Sequence, residues 1–312
     1  MNKLYIFILS FFLISCDSMQ TIVEVEIPPH EPVLVLNGKL DTDTIVHVML
    51  SHSVGAFDDE TPNCIIDAEV LLYKDNVLLD TLIIDLENSD YIYYWSNTGE
   101  DSLLMYYYKS NYVPTGGHLY KIIASHSDYN TIEASTFIPN NLEIMNLNID
   151  TNSSELVQFN FSFIDDQSNQ NFYELELYAN CTKVWDEEEY DYSGNVTIFS
   201  NDPSFPGGIP FSGYSYSGEI VLFTDVLFNG EEKNISFDVY TDEFSFADCD
   251  TVLLEFSNFS NETYSYYNSL GSHRDKGELG IFGGEVIPVY TNVNNGLGAL
   301  ISVNSQSKFL SK

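Results

Sequence analysis

A single arginine, Arg274, serves all 312 residues, and lysine and arginine together number 11 against 47 aspartates and glutamates. The formal net charge of −36 excludes nonspecific nucleic-acid binding and polybasic attachment to anionic lipid. Bidentate capture of phosphate or carboxylate by clustered guanidinium groups has no material to work with. Beyond the first fifteen residues no apolar run approaches the roughly 20 residues that a bilayer-spanning helix needs. The Gly-x-Ser-x-Gly elbow, His-Glu-x-x-His and a phosphate-cradling glycine loop are all missing, which removes the commonest nucleophile, zinc-protease and nucleotide motifs.

What is present begins with a leader. Lys3 precedes apolar residues 4–9 and 11–14, interrupted only by Ser10, which is the charged and then apolar pattern of a secretory signal. Leu13-Ile14-Ser15-Cys16 closes it with an aliphatic residue, a small residue and a cysteine, and resembles a bacterial lipobox. The expectation is cleavage before Cys16 and lipidation of that cysteine, with several acyl chains giving far firmer anchoring than one. The alternative is an ordinary signal peptide that happens to end at a cysteine.

Aromatic residues make up 14% of the chain, and they recur with Val, Ile and Thr in short alternating runs separated by Asn, Asp, Gly and Ser. That pattern favours strands. Strands are expected at 33–38, 44–51, 68–73, 77–84, 91–95, 103–109, 118–125 and 131–138, with Lys74-Asp75-Asn76 as a hairpin turn. Pro139-Asn140-Asn141 then breaks the pattern, and further strands are expected at 157–163, 172–178, 218–223, 233–240, 251–257 and 286–290. The interval 186–213 reads as a long surface loop. The fold expected is all-β, with two β-sandwich-like domains in tandem behind a lipidated tether. Residues 1–15 are the signal peptide, 16–24 the tether, 25–139 an immunoglobulin-like sandwich and 142–304 a β-rich second domain. A short helix is expected near 261–270, capped by Ser260 or Asn261.

Candidates for chemistry are few. Export permits disulfides, and Cys181 with Cys249 are the candidate pair, leaving Cys64 alone. Zinc lacks the close cysteine and histidine spacing it needs, and His47 with His52 approach one another only through a loop. Asp165-Asp166 is a carboxylate pair of the kind glycosidases use, but adjacent strand residues point to opposite faces. Calcium finds its best loops at Asp58-Asp59-Glu60 and at Asp186-Glu187-Glu188-Glu189 with Asp191, neither with EF-hand spacing. The reading therefore assigns no catalytic, cofactor-binding or metal residue. The runs Tyr91, Tyr93, Tyr94, Trp95 and Tyr106-Tyr107-Tyr108 mix core and surface positions, and their exposed members offer stacking surfaces.

Four segments carry a family likeness: Ile27-Pro28-Pro29-His30-Glu31-Pro32-Val33-Leu34-Val35-Leu36-Asn37-Gly38; Asp67-Ala68-Glu69-Val70-Leu71-Leu72-Tyr73 with Gly117-His118-Leu119-Tyr120 and Ala134-Ser135-Thr136-Phe137-Ile138-Pro139; Phe223-Thr224-Asp225-Val226-Leu227-Phe228-Asn229-Gly230; and Pro288-Val289-Tyr290-Thr291-Asn292-Val293-Asn294-Asn295-Gly296-Leu297-Gly298. In this order the chain resembles the Bacteroidota lipoprotein family labelled domain of unknown function 4249. The family's Gly-Ile-Phe-Gly ending departs here to Gly298-Ala299-Leu300-Ile301, while a similar string stands at Gly280-Ile281-Phe282-Gly283. Asn37-Gly38 and Asn229-Gly230 suit tight turns, and Gly296 with Gly298 suits a bend in the final strand.

The resemblance implies a surface-exposed, lipid-anchored protein of the outer membrane. Its implied partner is a TonB-dependent, SusC-like transporter, and it implies no catalytic activity. The function expected is that of a binding or accessory subunit. A freestanding glycan-binding or adhesion module is the second reading, and a hydrolase assembled from distant loops the third.

Overall fold

The computed structural model describes residues 29–55, 61–96, 99–153, 155–185, 188–205, 213–241, 249–277 and 287–310. The first half contains β1 (Leu34–Asp41), β2 (His47–His52), β3 (Glu69–Lys74), β4 (Val77–Ser96), β5 (Gly99–Lys109), β6 (His118–His126) and β7 (Tyr129–Ile138). The second contains β8 (Met145–Asp150), β9 (Leu156–Ile164), β10 (Phe172–Trp185), β11 (Glu188–Asn195), β12 (Ile198–Ser200), β13 (Tyr216–Gly218), β14 (Ile220–Thr224), β15 (Glu232–Tyr240) and β16 (Cys249–Phe259). Helix α1 (Asn261–Gly277), β17 (Val293–Asn294) and β18 (Leu297–Phe309) follow. Among the described residues the chain is all-β apart from α1 and one 3-10 turn, Asp225–Leu227.

Alternation of side chains explains the strands. In β7 Ile132, Ala134, Thr136 and Ile138 point inward and their neighbours outward, and in β15 Ile235, Phe237 and Val239 do the same. The expected hairpin turn forms between β3 and β4, where Asp75 and Asn76 both take positive φ (49° and 66°), as a two-residue turn of that hand requires.

Two cores result. One packs Leu34, Leu36, Val48 and Leu50 against Val70, Leu72, Tyr120, Ile122 and Ile132. The other is aromatic, with Phe159, Phe161, Phe163 and Phe237 facing Tyr173, Phe223 and Phe256 across the gap between two sheets. Each such ring, fully buried, contributes about 1.5–3 kcal/mol before side-chain entropy is subtracted.

The cores are joined by one strand. In a 13-stranded sheet β18 lies between β16 and β1. Its first half pairs in parallel with β1, from Val35↔Leu297 to Asp41↔Val303. Its second half pairs antiparallel with β16, from Phe259↔Val303 to Leu253↔Phe309. The separate five-stranded sheet, in the order β13-β12-β15-β9-β8, covers the second core.

Four expectations need correction. The second domain does not keep residues 142–304 to itself, because β17 pairs with β7 and both Val293 and Leu300 lie in the first core. Described residues 287–292 form no strand, and the final strands lie further on at β17 and β18. The interval 186–213 is not one loop, since β11 and β12 fall within it. Asn37-Gly38 is mid-strand rather than a turn: a Cβ on Gly38 would lie 2.6 Å from Val48 Cγ1, so the glycine serves close packing. Asn229-Gly230 does turn, with Gly230 at φ +76°.

Candidate functional site

Three chain segments meet where the two cores join, and each is fixed by polar side chains acting on backbone. The first is 137–142. Pro139 cannot donate to a ladder, so pairing of β7 stops there. Asn304, buried in β18, donates through Nδ2 to the Pro139 carbonyl at 2.8 Å and to Asn141 Oδ1 at 2.8 Å. Asn258 Nδ2, from β16, donates to the Asn140 carbonyl at 2.9 Å.

The second segment, 164–171, leaves β9 through Asp165 and Asp166. Asp165 is buried and accepts bonds from the Tyr173 hydroxyl and, at 2.7 Å, from the Gly230 N–H. Burial, and then the Asp165 bond, push the Tyr173 hydroxyl far above the usual phenol range. Asp166 faces outward and accepts from the Ser168 hydroxyl at 2.5 Å, the Ser168 N–H at 2.9 Å and Asn140 Nδ2 at 3.2 Å. These bonds hold its carboxyl below the usual range. Asn171 closes the loop, donating through Nδ2 to the Asp166 carbonyl at 2.7 Å and through its backbone N–H to Asp225 Oδ2 at 2.8 Å. Burial, with Asp165 close by, raises the Asp225 carboxyl.

The third segment is the start of α1. Ser260 caps it, its Oγ accepting the Thr263 N–H at 3.1 Å. Beneath the cap lies a buried set of hydroxyls. Thr136 Oγ1 bonds Ser260 Oγ at 3.1 Å and Ser302 Oγ at 2.8 Å, and Thr263 Oγ1 donates to the Ser302 carbonyl at 2.8 Å. This network ties β7, β18 and the helix start together.

Between the three segments lies a cavity of about 520 Å³, within the range of about 300–1,000 Å³ usual for ligand sites. Its lining combines amides (Asn140, Asn169, Gln170, Asn171, Asn258, Asn261) with Asp165, Asp166 and Glu262, and with the apolar Phe137, Ile164 and Phe259. Among the described residues that line it there is no Lys, Arg, His or Cys. Asn258 Oδ1, buried in this wall, has no hydrogen-bond partner. The arrangement offers donors and acceptors in quantity, with Asp165 and Asp166 already engaged by hydrogen bonds from Tyr173, Gly230, Ser168 and Asn140.

The residues singled out from sequence lie elsewhere, Asp165 and Asp166 excepted. Those two line the cavity, but Asp165 turns its oxygens toward Tyr173 and Gly230 while Asp166 faces the surface, so they do not flank a common point. Cys16 and the acidic triplet 58–60 lie outside the described residues, as do Asp186 and Glu187; Asp191 bonds Thr182 in β10 at 3.2 Å. Among the described residues no three His, Cys, Asp or Glu side chains converge as a metal would need. Cys181 and Cys249 form a disulfide between β10 and β16. Cys64 is a free thiol against the Tyr106 backbone, raised by burial. His47 and His52 stand at opposite ends of β2. Tyr108 is core, whereas Tyr91 and Tyr93 are exposed side by side on the β4–β5 hairpin. No helix among the described residues is long and apolar enough to cross a membrane.

No motif in the sequence marks this cavity. The only local signal is repetition of amides, Asn140-Asn141, Asn169-Gln170-Asn171 and Asn258 to Asn261, and amides are equally common in turns. Among known proteins, a family model described as domain of unknown function (DUF4249) matches residues 20–308. No curated protein matches the chain.

Proposed function

We propose, for a chain that belongs to the DUF4249 family, a binding role without catalysis: a lipoprotein held in the outer membrane of a Bacteroidota cell through Cys16, acting as accessory subunit to a TonB-dependent, SusC-like transporter. The junction cavity carries the reading. It is large enough for a small molecule and rich in amides and carboxylates. The leader ending in Leu13-Ile14-Ser15-Cys16 supports the anchor. The transporter partner rests on the family resemblance.

The test is a detergent-solubilised, affinity-tagged purification from the native outer membrane, followed by mass spectrometry. The expected result is a TonB-dependent barrel in stoichiometric amount, and a Cys16→Ala chain that leaves the membrane fraction. A lipoprotein that purifies alone refutes the accessory role and shifts weight to a freestanding module that uses its exposed tyrosines, Tyr91 and Tyr93.

A further inference from the structure

The chemistry of the junction cavity narrows what it binds. Among the described residues every ionisable group in its lining is acidic, namely Asp165, Asp166 and Glu262, so an anionic ligand meets repulsion with no compensating cation among them. A bare metal cation fares no better. The oxygens of Asp165 and Asp166 are already engaged by Tyr173, Gly230, Ser168 and Asn140, and no set of carboxylates converges there among the described residues.

Amides dominate what remains. Each presents a donor and an acceptor side by side, and a ligand hydroxyl both donates and accepts, so vicinal hydroxyls match the lining pairwise. Asn169, Gln170 and Asn261 are exposed at the mouth. Phe137 is 37% exposed and Ile164 62% exposed, an apolar edge suited to the C–H face of a sugar ring. In the wall, Asn258 is only 3% exposed and its Oδ1 has no donor, a condition buried acceptors rarely keep.

Resting on the binding role proposed above, we infer that the junction cavity is a saccharide site, taking a neutral, hydroxyl-rich ligand of one or two rings. It is distinct from the tyrosine pair on the β4–β5 hairpin.

The experiment is saturation-transfer NMR on the full-length protein in detergent. The probes are glucose, galactose, mannose, N-acetylglucosamine, maltose and cellobiose, with galacturonate as the anion and spermidine as the cation. At least one neutral sugar is expected to bind saturably and galacturonate not to bind. The double variant Asn169→Ala/Gln170→Ala, altered only at the exposed mouth, is expected to weaken that sugar at least tenfold with its circular dichroism and melting temperature unchanged. Tyr93→Ala is expected to stay within twofold of the wild type. Saturation by spermidine alone, no binding by any sugar, or a sugar lost with Tyr93→Ala and kept by the double variant each overturns the inference. A transporter that co-purifies with a chain binding no sugar refutes the ligand class alone, whereas sugar binding by a chain that purifies alone refutes the accessory role alone.

Discussion

Gly298 lies against Leu36 so closely that a Cβ on the glycine would stand 2.1 Å from the Leu36 carbonyl oxygen. The two are register partners in the parallel pairing of β1 with β18, the contact that fastens the last strand to the first core. Gly298 also has φ +95°, which L side chains rarely adopt.

Gly298→Ala is therefore expected to cost about 2–4 kcal/mol, combining strain with a backbone clash. Gly271, inside α1 with open space where a Cβ would stand, is the counterpart: Gly271→Ala is expected to add about 0.5–1 kcal/mol. Urea unfolding of both variants checks the opposite signs, and equal effects would refute the assignment.

Tyr173→Phe removes the hydroxyl that donates to buried Asp165. The ring packing against Phe163 and Phe256 survives, so the loss isolates one hydrogen bond to a buried carboxyl. The expected cost is about 1–3 kcal/mol, read as a lower denaturation midpoint with an unchanged slope.

Glu174 supplies a pH dependence. It lies on β10 beside Glu176 and Glu255, with Lys39 opposing them, and burial followed by repulsion from Glu176 raises its carboxyl from 4.5 to about 7. The folded state then holds a proton that the unfolded chain has released between those values, so this group's contribution to stability falls as pH rises from 4.5 through 7. Glu174→Gln is expected to be more stable than wild type at pH 8, by on the order of 2 kcal/mol, and to match it near pH 4.5. Melting curves across that window check it, and a constant difference at all pH values would contradict the cause given.

Cys181 and Cys249 close a loop with a sequence separation of 68 residues. On the chain-entropy account, replacing both by serine is expected to cost about 4 kcal/mol. Denaturation of the wild type with and without reductant should show the same difference, while the doubly substituted chain should be insensitive to reductant.

Local chemistry made much of this protein legible in its residues. Alternation at 131–138 and 233–240 specified strands without reference to anything distant, and Asp75-Asn76 specified a turn because both residues tolerate positive φ. Ser260 announced a helix start, although α1 runs on to Gly277, beyond the expected 270, passing through Gly271, where a glycine reads locally as a stop. The all-β class follows from short-range pattern alone, whereas the boundary expected at 142–304 does not, because β17 and β18 return to the first half.

Tertiary structure decided the rest. Asn37-Gly38 reads as a turn until Val48 and Leu300 close over it, and β18 finds β1 at the far end of the chain, a pairing that no local period encodes. The cavity is the clearest case. Asn140, Asn171 and Asn258 are ordinary loop and strand-end amides in the sequence, and they line one cavity only because the fold brings 137–142, 164–171 and the start of α1 together.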